Sequence, residues 1–353
     1  MTRAITKTIG CDLGDRYSQL CLLDGGAEVE ARARVVTSPS GFRKWFSGVG
    51  PYRVALEVGT HSRWVSQLLR ELGHEVIVAN ARHVRLIHQG PRKNDKLDAE
   101  KLARLARADV KLLHPVRHRS EQAHSELMVL RSRDQLVKAR VELINHVRGV
   151  SKAFGIRVPK CSSAGFASRA RQTEMPEALH GALSPMLGAL EALNEQIKAY
   201  EAMIEQAAER SREAQPLLTI HGVGPMTAMA FVLTLEDPTR FARSRDVGAY
   251  LGLVPKQWQT GKSDPELRIS KAGDDFVRRL LVNCAQRMLG PFGQDSELRR
   301  HGLRLSQRGG KSAKKKAVIA VARKLAVVMH RLWVTGEVYR PLRDAALPLA
   351  NAS

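Results

Sequence analysis

Residues 5–36 read ITKTIGCDLGDRYSQLCLLDGGAEVEARARVV. Apolar or alternating runs at Ile5–Leu13, Tyr17–Leu23 and Glu28–Val36 are broken by Gly14-Asp15-Arg16 and Asp24-Gly25-Gly26. Short connections rich in Gly and Asp fold a chain back on itself, so this stretch predicts an antiparallel meander of three strands. Downstream, Pro39–Phe46 predicts a helix with Ser38 as its N-cap. RVALEV (Arg53–Val58) and EVIVA (Glu75–Ala79) predict two more strands. Between them Trp64, Val65, Leu68, Leu69 and Leu72 make a helical stripe over Ser62–Leu72, which Gly73 ends. A further helix is expected over Leu97–Arg107.

Three antiparallel strands followed by alternating helices and strands is the layout of an RNase H-like domain, assigned here to residues 1–112. Residues 113–215 differ in character. Leu127, Leu130, Leu136, Val137, Val141, Ile144 and Val147 recur at helical spacing, as do Leu187, Leu190, Leu193, Ile197, Tyr200, Ile204 and Ala208. Two long helices, the second expected over Pro185–Glu213, would form a coiled-coil arm joined by a Ser-, Gly- and Arg-rich connection at Gly155–Arg171. A mainly helical domain is expected over 216–345, followed by a tail, 346–353. In it, Gly222-Val223-Gly224 stands between two short helices, a helix-hairpin-helix-like turn whose backbone N–H groups can hold a phosphate, or simply a tight αα corner. GGKSAKKKAVIAVARKLAVVMHRLW (309–333) is a basic opening to an amphipathic helix, with Lys311, Lys314, Lys315 and Lys316 facing phosphate or solvent. The expected fold class is therefore multidomain α/β plus α.

The 353 residues carry 57 Lys plus Arg against 35 Asp plus Glu, a net charge of +22. Such a field attracts nucleic acid or an acidic membrane surface. No apolar run is long enough to span a bilayer, and the N-terminus lacks the core and cleavage site of a secretory signal. A cytoplasmic protein that works on the nucleoid, with no membrane partner, is expected. Cys11, Cys21, Cys161 and Cys284 are scattered without a CxxC pair, which argues against structural zinc and a disulfide framework and for plain buried thiols.

Within so basic a chain, Asp12, Glu57, Asp95 and Asp98 stand out. Asp12 and Glu57 fall at the ends of strands that neighbour each other in an RNase H-like sheet. Asp95 and Asp98 start the next helix, spaced i,i+3 on one face. Singly each has an ordinary reading: Asp12 as a turn residue beside Gly14, Asp95 as an N-cap with Asp98 in a capping-box arrangement. Together they suggest a site for Mg²⁺, expected as two ions with Mn²⁺ as a substitute, acting on a polyanion.

GCDLG (10–14), ALEVGTHS (55–62) and KNDKLDAEKLARL (93–105), in that order, resemble the DEDD transposases of the insertion-sequence 110 family. LLTIHGVGPMTA (217–228) and AYLGLVPKQWQTGKSDPELRISKAGDDFVRRLLV (249–282) are similar to that family's C-terminal signature. The resemblance covers residues 5 to 340. It implies a RuvC-like catalytic domain joined through a coiled coil to a transposase domain. It also implies a recombinase guided by a structured non-coding bridge RNA that pairs with target and donor DNA, with the four acids holding Mg²⁺ and a C-terminal serine becoming covalently linked to DNA. The family pattern has Ser-Gly after GLxP, whereas this chain has Thr260-Gly261, with Ser263 three residues on. Either hydroxyl can be the nucleophile. Lys256, Lys262, Arg268 and Lys271 surround it and would stabilise developing charge or anchor the DNA backbone. A homodimer or tetramer, assembled through the arm, is the expected working form. A hydrolytic nuclease of the junction-resolvase kind would share the acids but use water. A non-enzymatic nucleic-acid-binding protein would keep only the charge.

Overall fold

The computed structural model describes residues 7–81, 94–260, 263, 265, 267–310 and 312–342. The chain forms two compact units, Met1–His118 and Arg119–Ser353.

The first unit is built on one five-stranded sheet: β1 (Thr8–Asp12), β2 (Tyr17–Leu23), β3 (Val29–Val36), β4 (Arg53–Glu57) and β5 (Glu75–Ala79), in the order β3-β2-β1-β4-β5. β1, β2 and β3 pair antiparallel, as the Gly/Asp turns predict; β4 lies parallel to β1, and β5 to β4. Helices α1 (Pro39–Phe46) and α2 (Ser62–Glu71) belong to one face, where they bury Phe42, Phe46, Val65 and Leu69 with Ile9, Cys11, Val54 and Leu56. Ser38 caps α1, its side chain accepting from Gly41 N at 3.1 Å. Gly73, at φ +86°, turns the chain out of α2.

Helix α3 (Asp95–Ala108) covers the opposite face. Ala99 and Ala103 pack with Cys21 and Leu23, and Leu102 and Ala106 with Ala55 and Ala79. The approach is close because β1 offers no side chain there. A Cβ on Gly10 would come within 1.8 Å of Ala99 O and 2.6 Å of Ala103 N. The N-cap of α3 is Asn94, whose side chain accepts from Lys96 N at 3.1 Å, so the capping alternative for Asp95 and Asp98 does not hold. The pair sits in the first turn, where negative charge suits the helix dipole.

In the second unit, α4 (Glu121–Ala153) and α6 (Glu177–Arg210) run antiparallel as a long pair. α6 begins two turns earlier than the sequence suggested, with Pro185 inside it. An interior proline costs a helix about 3 kcal/mol. Burial of Leu179, Leu183, Leu187 and Leu190 in one cluster with Phe166 and Ala170 opposes that loss. Those last two residues belong to α5 (Phe166–Arg171), an ordered turn within the stretch read as a polar connection. At the base of the pair, Ala123, Leu127, Ile204 and Ala208 join the core of the C-terminal helices, so the base of the arm and those helices share one core. Asp134, buried there, is gripped by Arg279 at 2.7 Å and Lys138 at 3.1 Å. The remaining helices are α7 (Gln215–Leu218), α8 (Pro225–Leu235), α9 (Asp246–Tyr250), α10 (Asp275–Leu289), α11 (Glu297–Ser306) and α12 (Ala313–Thr335). α8 is buried at every position from Thr227 to Leu235 and forms the centre of this core. The mixed sheet followed by a mainly helical region matches the fold class read from the sequence. Among the described residues, no helix is long and apolar enough to cross a membrane. Cys11, Cys21 and Cys284 are buried and unpaired, as expected, whereas Cys161 is half-buried. Burial pushes the Cys11 thiol far above its ordinary value, which leaves it inert.

Candidate active site

The parallel register of β1 and β4 sets Cys11 opposite Leu56, and the next residues along are Asp12 and Glu57. Side chains alternate along a strand, so Asp12 shares the face of Gly10, and Glu57 that of Ala55. That is the face under α3. Asp12 and Glu57 line one cleft of about 270 Å³ together with Leu13, Asp15, Gly59 and His61.

The helix runs antiparallel to these strands. At the start of β4, Arg53 Nη1 donates to Ala106 O near the end of α3 at 3.3 Å, so the first turn of α3 hangs over the strand ends. Leu102 packs on Ala55. Four helical residues rise about 6 Å and two strand residues about 6.6 Å. Asp98, one turn before Leu102, is therefore carried toward the level of Glu57, two residues after Ala55. Asp98 is buried, with Lys101 Nζ 3.5 Å from its Oδ1, whereas Asp95 is exposed and lies a further turn outward. Among the described residues, no three His, Cys, Asp or Glu side chains come together as a metal cage. Asp12 and Glu57 share the cleft, and the other two acids lie on the first turn of α3. Hard oxygen donors in that number fit Mg²⁺, which takes one or two carboxylates and leaves its other positions to water and phosphate.

His61 also lines the cleft, a place its sequence position did not disclose. It stands four residues after Glu57, at the entrance to α2, and its motif ALEVGTHS was in plain view. Trp64 Nε1 donates to His61 Nδ1 at 3.1 Å. That bond leaves the ring proton on Nε2, which lies 3.6 Å from Asp15 Oδ1. The cleft therefore has a ring N–H donor at its edge as well as carboxylates.

The hydroxyls sit in the second unit. Thr260 N donates to Ser263 O at 3.1 Å, and Ser263 N to Thr260 O at 3.0 Å. Residues that exchange both bonds in an antiparallel pair put their side chains on the same face. Both are exposed, so the two hydroxyls project side by side from the end of a narrow ribbon. Its arms are held by Lys256 N to Arg268 O at 2.9 Å and Ser270 N to Val254 O at 2.8 Å. Lys271, at φ +54°, closes the base against Gly252, whose own φ is +69° and whose missing side chain leaves room for Ala272. Lys256, Arg268 and Lys271 are exposed along the ribbon, and Lys314, Lys315 and Lys316 at the start of α12. Lys262 and Lys311 lie outside the described residues. Gly222, at φ +91°, makes the corner before α8, and Gly224 is the N-cap of that helix. Pro225 occupies the first helical position and removes one N–H from those the turn could offer a phosphate.

Over most of its length the chain is similar to known transposases. Residues 9–154 match a transposase family, and residues 214–301 match the family described as transposase IS116/IS110/IS902. A probable family 20 transposase of Pseudomonas aeruginosa is 29% identical over 94% of this chain and 98% of its own length. The transposase for insertion sequence element IS1328 of Yersinia enterocolitica is 33% identical, covering 67% of this chain and 70% of the relative. The transposase for IS1111A of Coxiella burnetii is 27% identical over 95% of this chain and 91% of its own. The two matched segments contain the acid cleft and the hydroxyl ribbon respectively, and the chain belongs to the IS116/IS110/IS902 family of transposases.

Proposed function

We propose that this transposase cleaves and exchanges DNA strands at element ends and target through a covalent protein–DNA intermediate, guided by a structured non-coding RNA. The observation that carries the reading is that Asp12 and Glu57, far apart in sequence, line one cleft at the adjoining ends of β1 and β4. Asp12, Glu57, Asp95 and Asp98 would hold Mg²⁺, which when bound supplies charge neutralisation at a phosphate and activation of the attacking oxygen. The chain's own groups do the rest. The hydroxyl of Thr260 or Ser263 attacks phosphorus and forms a P–O ester as it loses its proton. The P–O bond to the leaving strand breaks, and that oxygen departs with the bonding pair and takes up a proton. A strand hydroxyl from the partner DNA then attacks the ester, re-forming a diester and returning the protein hydroxyl. Lys256, Arg268 and Lys271 flank the ribbon and oppose the charge that builds on phosphate. His61 Nε2–H serves as a fixed donor at the acid cleft.

The working form we propose is a homodimer or tetramer joined through the α4–α6 arm. The net charge of +22 suits the double load of guide RNA and DNA. The test is to trap the protein on pre-nicked element-end DNA with Mg²⁺ and the flanking transcript, then map the modified residue. A phosphoester on Thr260 or Ser263 supports the reading. Cleavage without any adduct would mean hydrolysis by water, and adduct formation without the transcript would remove the guide.

A further inference from the structure

A groove of about 1040 Å³ runs within the second unit between the base of the ribbon, at Leu253, Pro255 and Leu267–Lys271, and one face of α12. Its rim is cationic: Arg245, Arg268, Lys271, Lys315, Arg323 and Lys324. None of the described lining residues is acidic. Its floor is aliphatic, made by Leu253, Leu267 and Ile269 from the ribbon side and Ile319 and Val327 from α12. On α12 the lining residues Lys316, Ile319, Ala320, Arg323 and Val327 follow helical spacing, while Ala317, Val321 and Leu325 face the core. Burial and the neighbouring Lys324, Arg304 and Arg308 hold His301, also in the groove, below its ordinary value, as a strongly positive field requires.

We infer that this groove binds a single strand of DNA and leads it to the Thr260/Ser263 hydroxyl pair. Charge selects a polyanion. The floor selects the strandedness. A duplex keeps its base faces stacked inside and offers only groove edges, sugar and phosphate, which cannot lie flat on five aliphatic side chains, whereas an unpaired strand can turn base faces inward and phosphates toward the rim. The floor also favours deoxyribose, because a ribose 2′-hydroxyl pressed on aliphatic carbon loses water without gaining a partner. Continuity fixes the direction. The ribbon that supplies Leu267, Arg268 and Ile269 ends at the hydroxyls, and Leu267 and Ser263 are at most about 14 Å apart along the chain. Trp258, 66% exposed and two residues before Thr260, offers an aromatic surface at the outer end of the track.

The inference rests on the proposed hydroxyl chemistry for its direction alone, and its test needs no cleavage. Full-length protein is titrated in EDTA with fluorescein-labelled oligothymidylate, the oligothymidylate·oligoadenylate duplex and oligouridylate. Ile319→Gln and Trp258→Ala are each expected to weaken single-stranded DNA binding about tenfold and to leave duplex binding unchanged. Arg323→Ala should lower the salt slope on the single strand by about 0.7. Trp258 and Arg323 are exposed, so these two variants decide the matter even if Ile319→Gln is poorly folded. Unchanged affinity in Trp258→Ala together with an unchanged salt slope in Arg323→Ala overturns the inference, as does equal loss on duplex. Tighter binding of oligouridylate, with the same dependence on Ile319, would make the groove an RNA site. Failure to trap a covalent adduct while these binding effects persist would sink the recombinase reading and leave the groove standing.

Discussion

The acid cleft and the hydroxyl ribbon are held in place by opposite means. Asp12 and Glu57 are neighbours because two parallel strands are in register, and α3 is seated over them by a backbone approach that Gly10 alone permits. The Thr260/Ser263 pair is held by a short ribbon with, among the described residues, few cross-strand bonds and both side chains in solvent. Errors in the first place propagate through a core; errors in the second stay local. Carboxylates that must share an ion need fixed mutual positions, whereas a hydroxyl that travels with a DNA phosphate needs reach. The largest expected effect falls on the first. Asp12→Asn or Glu57→Gln should reduce strand cleavage on the order of 10³-fold or more while DNA binding persists. A gel assay of nicking beside a binding titration reads both.

The ribbon answers differently. Thr260→Ala and Ser263→Ala should each leave stability within about 0.5 kcal/mol of the parent, since both side chains are exposed. One of them should abolish the covalent adduct and the other preserve it. Loss in both would mean the hydroxyls act together. Gly10→Ala sharpens the contrast from the other side. Its Cβ cannot fit against Ala99 O, so α3 must move. The expected cost is about 1–3 kcal/mol of stability, seen by denaturant unfolding, with cleavage lost alongside. Parental cleavage in that variant would show that α3 need not be seated for the acids to work.

What the sequence disclosed follows the same division. β-Prone runs cut by Gly and Asp were enough for the sheet, because local turn chemistry and strand alternation agree with the global topology there. Asp95 was ambiguous because Asn94 beside it is an equally good cap, and only the backbone decides which of adjacent residues takes that position. The early start of α6 was hidden by Pro185, whose local penalty is offset by leucines that find Phe166 and Ala170 only in the folded arm. The groove was out of reach for a different reason. Its two walls are separated by some fifty residues of chain, and α12 reads as an ordinary amphipathic helix until its second face is seen to be lined by the ribbon. His61 was legible as a residue but not as a neighbour of the acids, because only the fold brings the entrance of α2 to the cleft that Asp12 and Glu57 line. Its loss should be felt: His61→Ala is expected to slow cleavage about 10–100-fold. Trp64→Phe, which frees the tautomer but keeps the ring, should have a smaller effect in the same direction. Parental rates in both variants would remove His61 from the site.

The smallest effect concerns the clamp that holds α3 from its outer side. Glu100 accepts from Arg32 of β3 and from Arg104 one turn along the helix, and these two guanidiniums hold its carboxyl below the ordinary value. A carboxylate depressed in the folded protein contributes stability above the pKa it has when unfolded, and loses that contribution as the pH falls through the folded value. Glu100→Gln should therefore cost at most about 1 kcal/mol, because the pair is partly in solvent. The difference from the parent should stay constant from neutral pH down to about 5 and close below about 4. Raised salt should narrow it as well. If instead the gap widens in acid, the Arg32 contact does not stabilise the charged form. The seating of α3 would then rest on the Gly10 approach and the aliphatic contacts of Leu102 and Ala106, and the geometry of the acids would owe nothing to charge outside the cleft.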